Sequence, residues 1–599
     1  MPYEHLVSVE MANEIDKSRR TFLKAAGAGA AMATVAGCIS GDNPNEGDSE
    51  NVLNTINSTV TSLDPIQSTD TASGEVIKQI YEGLTYFENG ETTVENLLAE
   101  EVDISDDLLT YTFTLKEATY HNGSELTADD FVFAFRRLAE SEHSERSNFL
   151  LEGTMLNVEH ETNGDDELVA DSIGVEAVDD RTLEIRLETP NPNALELLAY
   201  DSFVALPEGI VGDIEGYDGE YDQSELASSE PVGTGPFQFE TWESNAEVEV
   251  STFEDYHGSV ANINGVHWQI IEDDSARFTY AMNENADFFR IPTSEYDADL
   301  VDAETDDLGR EIGTYGPVEN GEELDYVGVP QLSTYYFAFN ATAVPRPVRQ
   351  AVAHVLNRED LVQEIFQGRG EEAYTFTPPG AFPGGAERRE EFIQDYPYGM
   401  NESQRDTAEE LLADAGYTKD DPFEMTLTTY ESEVFQEAGR NLRDRLDGIG
   451  VSLQLEETPF STLQERGENG NLDFFSLGWT WSWPAADYGM FGFEPENTDT
   501  SRMPTETNGY YLDWHAEDSD ASRKAQEAWE QVEANPEPEE GQEARNEAYI
   551  EMEEAIWDDA IMLPLYHDTR EQFAYDHVDI EPFGAMGDYQ QRYNSVTLE

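Results

Sequence analysis

Apolar and polar residues alternate along five stretches of this chain, the period of half-buried strands. They are TYTFTLKEATY (110–120), RTLEIRLET (181–189), EVEVSTF (247–253), GVHWQII (265–271) and TYYFAFN (334–340). Five other stretches place apolar residues three and four apart, which predicts helices over 127–140, 348–366, 407–416, 441–450 and 522–534. Thr127 stands before an acidic first turn and Gly416 follows a last turn. From Asn51 onward the two kinds of element interleave, so the class is α/β or mixed α+β, and the lack of a fixed period argues against a solenoid. With 599 residues the chain exceeds what one core normally supports, and two or three packed lobes are expected.

Two glycine motifs read as turns. In PVGTGPF (231–237), Pro236 and the alternating residues that follow predict a tight turn into a strand. A phosphate cradle would need glycines opening a helix, with a lysine nearby. In YHNGSELTADD (120–130), Asn122–Gly123 predicts a hairpin turn before a capped helix. The run FFSLGWTWSWPAADYGMF (474–491) is different: three tryptophans and a tyrosine accompany a single charge, Asp487. It is either core or a stacking platform for a ligand.

Charge narrows the function. Against 32 basic residues stand 128 acidic ones, a net charge of −96. That sign argues against a nucleic-acid partner, because counterion release needs Lys and Arg facing phosphates. Aromatic and β-branched residues are interleaved through most of the chain, so it is expected to fold, with an acidic, lysine-poor surface, since the chain has only six lysines. Self-repulsion of this density is tolerable where concentrated salt shortens the Debye length, which points to a halophilic host. No HExxH, GxSxG or Walker-type motif is present, and the ten histidines show no metal-ligand spacing. His354 reads as a packing residue on its helix. An enzyme is not expected, nor is a cofactor.

The front of the chain reads as an address. SRRTFLK (18–24), with Arg19 and Arg20, resembles the twin-arginine export signal. The Ala- and Gly-rich run 25–36 is too short for a permanent membrane span and ends in VAGC (35–38), which looks like a lipobox. Cys38, the sole cysteine, is the expected lipidation site, with 1–37 as signal peptide and 38–50 as a flexible acidic tether.

After residue 50 come eight landmarks in order: SLDP (62–65), YEGL (81–84), YTFTLKEATYHNGSELTADDFVFAFRRL (111–138), PVGTGPFQF (231–239), PVRQAVAHVLNREDL (347–361), AEELLADAGY (408–417), LDFFSLGW (472–479) and IMLPLYH (561–567). In this order and spacing they resemble the family 5 extracytoplasmic solute-binding proteins of peptide and nickel ABC importers, most of all the oligopeptide-binding members. The resemblance implies an α/β clamshell of the periplasmic-binding-protein type II, two lobes plus an extra domain inserted in the first. Lobe I would comprise 51–84, 207–331 and 570–599, the extra domain 85–206 and lobe II 332–569. Crossings near 331–335 and 566–570 would be the hinges for closure around ligand. The implied partners are a small solute, an ABC permease with its ATPase subunits, and a membrane reached by the lipid anchor. A monomer is implied.

The resemblance also places a site. In oligopeptide binders the GW segment lends an extended strand to which the peptide main chain adds. Carried over, Gly478, Trp479 and Thr480 line the cleft, and Phe460 falls where the family has another pocket tryptophan. Thr69, Asp70 and Thr71 would be the facing strand from lobe I, and Tyr566 or Asp568 would close the site. The sequence departs from the pattern at both ends of a peptide. Where the family has an ammonium-binding aspartate, three residues after Trp479, stands Ser482, and where some members have a carboxylate-binding arginine stands Ser476. Either Asp487 or another acid such as Asp70 takes the ammonium role, or the solute is an oligosaccharide, a nickel chelate or another non-peptide.

Overall fold

A computed structural model describes residues 51–599 apart from 152–154, 165–167, 307, 431, 504–506, 508 and 538–539. Arg19, Arg20, Cys38 and the tether lie outside the described residues. Within 51–599 the predicted strands form at 110–115, 182–186, 247–252, 265–270 and 333–339. The helix predicted at 127–140 runs Ala128–Glu140, with Thr127 N–H donating to Asp130 Oδ2 at 2.7 Å. Gly416 ends its helix at φ +95°, a left-handed turn that only glycine enters without strain.

Two predicted helices need correction. The one at 441–450 runs Glu433–Leu446, because Gly448 at φ +81° turns the chain out of it. The run 348–366 is two helices, Arg346–Val355 and Arg358–Glu364. Asn357 breaks it, because its side-chain oxygen accepts from Asp360 N–H and caps the second helix.

Among the described residues, three sheets of four or more strands organise the molecule. Strand Val52–Asn57 runs parallel to Gly265–Ile270, which continues antiparallel into Glu247–Thr252 and Phe237–Glu243. Strands 99–104, 110–115, 182–186 and 175–179 form an antiparallel sheet in that spatial order, with helix Ala128–Glu140 against it. The largest sheet turns on one long strand, Met562–Ala574. Its first half pairs with Ser333–Phe339 and its second half with Leu324–Pro330. Beyond Ser333–Phe339 come Phe474–Thr480, Phe423–Tyr430 and Val451–Thr458; beyond Leu324–Pro330 come Glu311–Tyr315 and Val301–Thr305. The chain thus crosses between two parts of the molecule at 330–333 and 566–570. Gln331 N–H donates to the Asp568 carbonyl at 2.8 Å, tying the crossings together.

The landmark residues hold these parts in place. Asp64 of SLDP takes two hydrogen bonds from the buried Arg137 guanidinium, at 3.0 and 2.6 Å, and Asp213 accepts from Arg137 Nε at 2.8 Å. Glu82 of YEGL accepts from Thr234, Tyr256 and Arg592 and meets His257 Nε2 at 2.6 Å. The GTG of PVGTGPF is a turn, as predicted. Gly235 N–H donates to the Ile80 carbonyl at 2.9 Å, and a Cβ on Gly233 would overlap that same oxygen. His354 is a packing residue, bonded to Gln404 and edge-on to Tyr398.

Candidate functional site

The aromatic run forms an edge. Strand Phe474–Thr480 pairs along its length with Ser333–Phe339, placing Gly478 opposite Tyr335, Trp479 opposite Thr334 and Thr480 opposite Ser333. On its other side it meets Phe423–Tyr430 only at Phe474 and Phe475. Among the described residues no strand pairs with that second side of Ser476–Thr480. Alternate residues of such an edge offer N–H and C=O outward, a template for an added strand.

Alternation along the strand sends Gly478 and Trp479 to opposite faces. On one face a Cβ at Gly478 would lie 2.9 Å from the Tyr335 ring, so glycine is what lets the ring lie against the backbone. Tyr335 stacks on Tyr566 at 4.7 Å, and Tyr566 on Phe366 at 3.7 Å. Tyr335 also meets Phe435, which meets Tyr430, which takes the edge of Phe460 at 5.7 Å. Phe460, 51% exposed at the start of helix Phe460–Glu468, therefore joins the Gly478 face through Tyr430. Tyr566 is buried between two rings and serves packing.

On the other face Trp479 packs against Tyr488, Phe491 and Tyr510, with its indole N–H buried and unpaired among the described residues. Ser482 Oγ donates to the Tyr488 hydroxyl at 3.1 Å. Trp481 and Trp483, each 1% exposed, are core, so of the three tryptophans only Trp479 is partly open. Asp487 accepts from Asn193 Nδ2 at 2.6 Å, from Trp483 Nε1 at 3.3 Å and from Tyr488 N–H. Burial raises its pKa against the pull of these donors. Its bond to Asn193 holds the segment before helix Ala194–Leu197 against the end of the aromatic run.

The facing strand expected at 69–71 is a helix start instead. Asp70 caps helix Thr71–Ile80, accepting from Ser73 N–H at 2.8 Å and from Thr61 Oγ1 at 2.7 Å. The reason is local: aspartate three residues before serine at a helix entry satisfies a backbone donor that an extended chain would leave to a ligand. Asp487 and Asp70 thus both enter the site already hydrogen-bonded.

Two cavities flank this region. An apolar one of about 340 Å³ is lined by Pro190, Pro192, Trp483, Asp487, Tyr488, Phe491, Trp529 and Tyr549. A polar one of about 420 Å³ is lined by the end of strand Val52–Asn57, by Thr71 and Glu75 of helix Thr71–Ile80, by Phe288–Thr293, and by Arg369, Arg570, Asp588 and Tyr589. Thr71, the residue after the Asp70 cap, joins Tyr589 in the lining of the polar cavity. Arg369 is the one contributor here from the 332–569 segment. It bonds Glu571, Thr293 and the Ile291 carbonyl and so spans the crossing. Asp568 is half-buried at that crossing, its carboxyl pushed up to about 7 by burial despite nearby Arg369.

Sequence reasoning missed the arginines of the polar cavity. They lie at 277, 290, 369 and 570, and no local pattern connects them. Among the described residues, two groups elsewhere each bring three possible metal donors within 4.8 Å of one another, Glu247–Glu249–His267 and Asp499–Asp513–His515. Asp513 is already engaged by Thr500 and Asn340.

Residues 93–500 match the family model described as bacterial extracellular solute-binding proteins, family 5 Middle. The chain is similar to the glutathione-binding protein GsiB of Salmonella typhimurium, 25% identical over 530 residues that take in 86% of this chain and 88% of the relative. It is similar to the oligopeptide-binding protein AppA of Bacillus subtilis, 25% identical over 72% of this chain and 74% of that one. Among solved structures, Haemophilus influenzae OppA in complex with RPPGFSPFR superposes with a TM-score of 0.66 at 20% identity, over 92% of this chain and 99% of the other. DppA from Helicobacter pylori in complex with the peptide STSA superposes at 0.67 and 22% identity, over 92% and 98%. These structural likenesses identify the fold: the two-lobed clamshell expected from the sequence.

Proposed function

This chain belongs to family 5 of the extracellular solute-binding proteins, and from that premise we propose that it captures peptides outside the cell and delivers them to an ABC permease by clamshell closure. The observation that carries the reading is the second edge of Ser476–Thr480, unpaired among the described residues, next to an apolar cavity lined by Tyr488 and Phe491, the rings that pack on Trp479. A peptide main chain adds there as a strand, gaining backbone hydrogen bonds that do not depend on sequence, while side chains meet Trp479 and the flanking cavities. Relatives named for oligopeptide and glutathione binding support a peptide over a sugar or a nickel chelate. Binding and closure involve no covalent chemistry.

In this reading lobe I is 51–84, 207–331 and 570–599, lobe II is 332–569, and 85–206 is the extra domain. Residues 331–335 and 566–570 are the hinges. The ligand wall includes Thr69, Thr71, Phe460, Gly478, Trp479, Thr480 and Ser482, with Asp568 at the hinge. Export follows the twin-arginine route through Arg19 and Arg20, and Cys38 carries the lipid that holds a monomeric receptor at the membrane of a halophilic cell. Cys38→Ser should release the protein from the membrane fraction, and retention would refute the anchor.

The test is thermal-shift screening in high salt against pools of short peptides, the same peptides with N-methylated backbones, oligosaccharides and nickel chelates. Stabilisation by the plain peptides and loss of it on N-methylation is expected, because methylation removes the donors that pair with the strand edge. Equal stabilisation by both peptide pools would refute strand addition, and stabilisation by sugars or chelates alone would refute the peptide.

A further inference from the structure

The polar cavity has an electrostatic character opposite to that of the chain. Acidic residues outnumber basic ones 128 to 32 overall, yet four arginines and three carboxylates line this cavity. Two of the arginines, Arg290 and Arg570, share a single carboxylate. Arg290 donates to Asp588 Oδ2 through Nε at 2.7 Å and also through Nη2, while Arg570 Nε donates to Asp588 Oδ1 at 3.3 Å. Asp588 is buried and accepts all three bonds, so two guanidiniums share one carboxylate.

Donors are left over. Among the described residues no hydrogen bond engages Nη1 of Arg290 or either Nη of Arg570. The two side chains are 41% and 35% exposed, and both line the cavity. Arg369 differs, since its guanidinium is committed to Glu571, Thr293 and the Ile291 carbonyl. Glu75 also lines the cavity, but Trp268 and Tyr593 both donate to its Oε1 at 2.9 Å. Two planar guanidiniums held on one anchor, with outward N–H groups in a confined cavity, match the two oxygens of a carboxylate.

We infer that Arg290 and Arg570 form a carboxylate subsite, so that the acidic end or an acidic side chain of the captured solute is held by these two arginines instead of from the aromatic run, where Ser476 offers no charge. This inference rests on the peptide reading above. Asp588 positions the pair without touching the ligand.

The experiment measures affinity by titration calorimetry at one fixed high salt concentration, using three defined pools of short peptides. The first has free C-termini and no acidic side chains, the second is the first as C-terminal amides, and the third is the amides with one glutamate in each peptide. The expected result is binding of the first pool at least about tenfold tighter than the second. Recovery in the third pool would assign the subsite to acidic side chains as well as termini. Arg290→Gln should remove the advantage of carboxylate-bearing pools, and Arg570→Gln, which also touches a hinge, should cost those pools more affinity than it costs the second. Arg570→Lys, which keeps the charge and loses the fork, should retain part of it and provides a folded control. Equal binding of all three pools by the wild type, or an equal loss on all pools in the variants, overturns the carboxylate subsite while leaving peptide binding intact. No binding of any pool overturns the peptide reading itself, and this inference with it.

Discussion

Asn193 donates a 2.6 Å hydrogen bond to Asp487 across 294 residues of sequence, joining the segment that follows the four-stranded 99–186 sheet to the end of the aromatic run. Asp487 is desolvated, and its other donors are Trp483 and the Tyr488 N–H. Asn193→Ala removes one of three donors from a buried carboxylate and should destabilise the protein by about 1–3 kcal/mol. Asn193→Asp places a second carboxyl there, so its loss should be larger at pH 8 and partly recovered at pH 5, where one of the pair holds a proton. Unfolding curves at both pH values check this. An Asn193→Ala protein as stable as wild type would show that the bond holds nothing.

Gly478 and Tyr335 face each other across paired strands, and a methyl group at 478 would stand 2.9 Å from the tyrosine ring. Gly478→Ala should therefore push Tyr335 out of its stack with Tyr566 and cost about 1–3 kcal/mol, as overpacked sites do. In a Tyr335→Ala background the same substitution should cost almost nothing. A double-mutant cycle measures the difference, and additive losses would mean that the glycine serves the backbone or the ligand instead of the ring.

How much of this was legible beforehand depends on the distance between partners. Thr127 with Asp130 and Asn122 with Gly123 act within four residues, and the sequence shows them directly. Asp70 is equally local, three residues from Ser73, but the resemblance implies a strand there, and the cap overrides it. The helix broken at Asn357 failed for a related reason: a continuous apolar period hid an internal cap. The Arg290–Asp588–Arg570 group was not legible. Its members follow one short strand, sit on another and open a 3-10 turn near the C-terminus, and in a chain with so many carboxylates no single arginine declares its partner. Trp481 and Trp483 show the limit of composition, since identical neighbours of Trp479 proved to be core.

Glu82 supplies a pH dependence with a definite sign. Burial alone would raise its carboxyl, but Arg592 and His257 overcome that and hold it at about 2, below the ordinary value of 4.5. A carboxylate depressed in the folded state adds stability above the unfolded pKa and loses it as pH falls through the folded one. The contribution is therefore complete at pH 7 and disappears between pH 4.5 and 2. A shift of that size corresponds to about 3 kcal/mol. Glu82→Gln should be less stable than wild type by about this amount at pH 7, and the gap should narrow as pH approaches 3. Denaturant titrations of both proteins at constant salt measure the gap. A difference that stays constant from pH 7 to pH 3 would mean that Glu82 acts through shape, not charge.

Salt should stabilise this protein, although salt weakens ion pairs. The net charge of −96 makes long-range repulsion among surface carboxylates the dominant electrostatic effect, since exposed ion pairs contribute only about 0–1 kcal/mol each. Raising salt from about 0.1 M to about 1 M shortens the Debye length from roughly 10 Å to 3 Å and screens that repulsion first. The buried Arg137–Asp64–Asp213 group is shielded from solvent and should be little affected. The Tm is expected to rise steeply over this range in sodium chloride and in potassium chloride alike. Sucrose at matched osmolality separates screening from preferential exclusion, because it leaves the charges unscreened, and a smaller rise is expected with it. A Tm that is flat or falls with salt, or that sucrose raises equally, would show that repulsion among the carboxylates does not limit the fold.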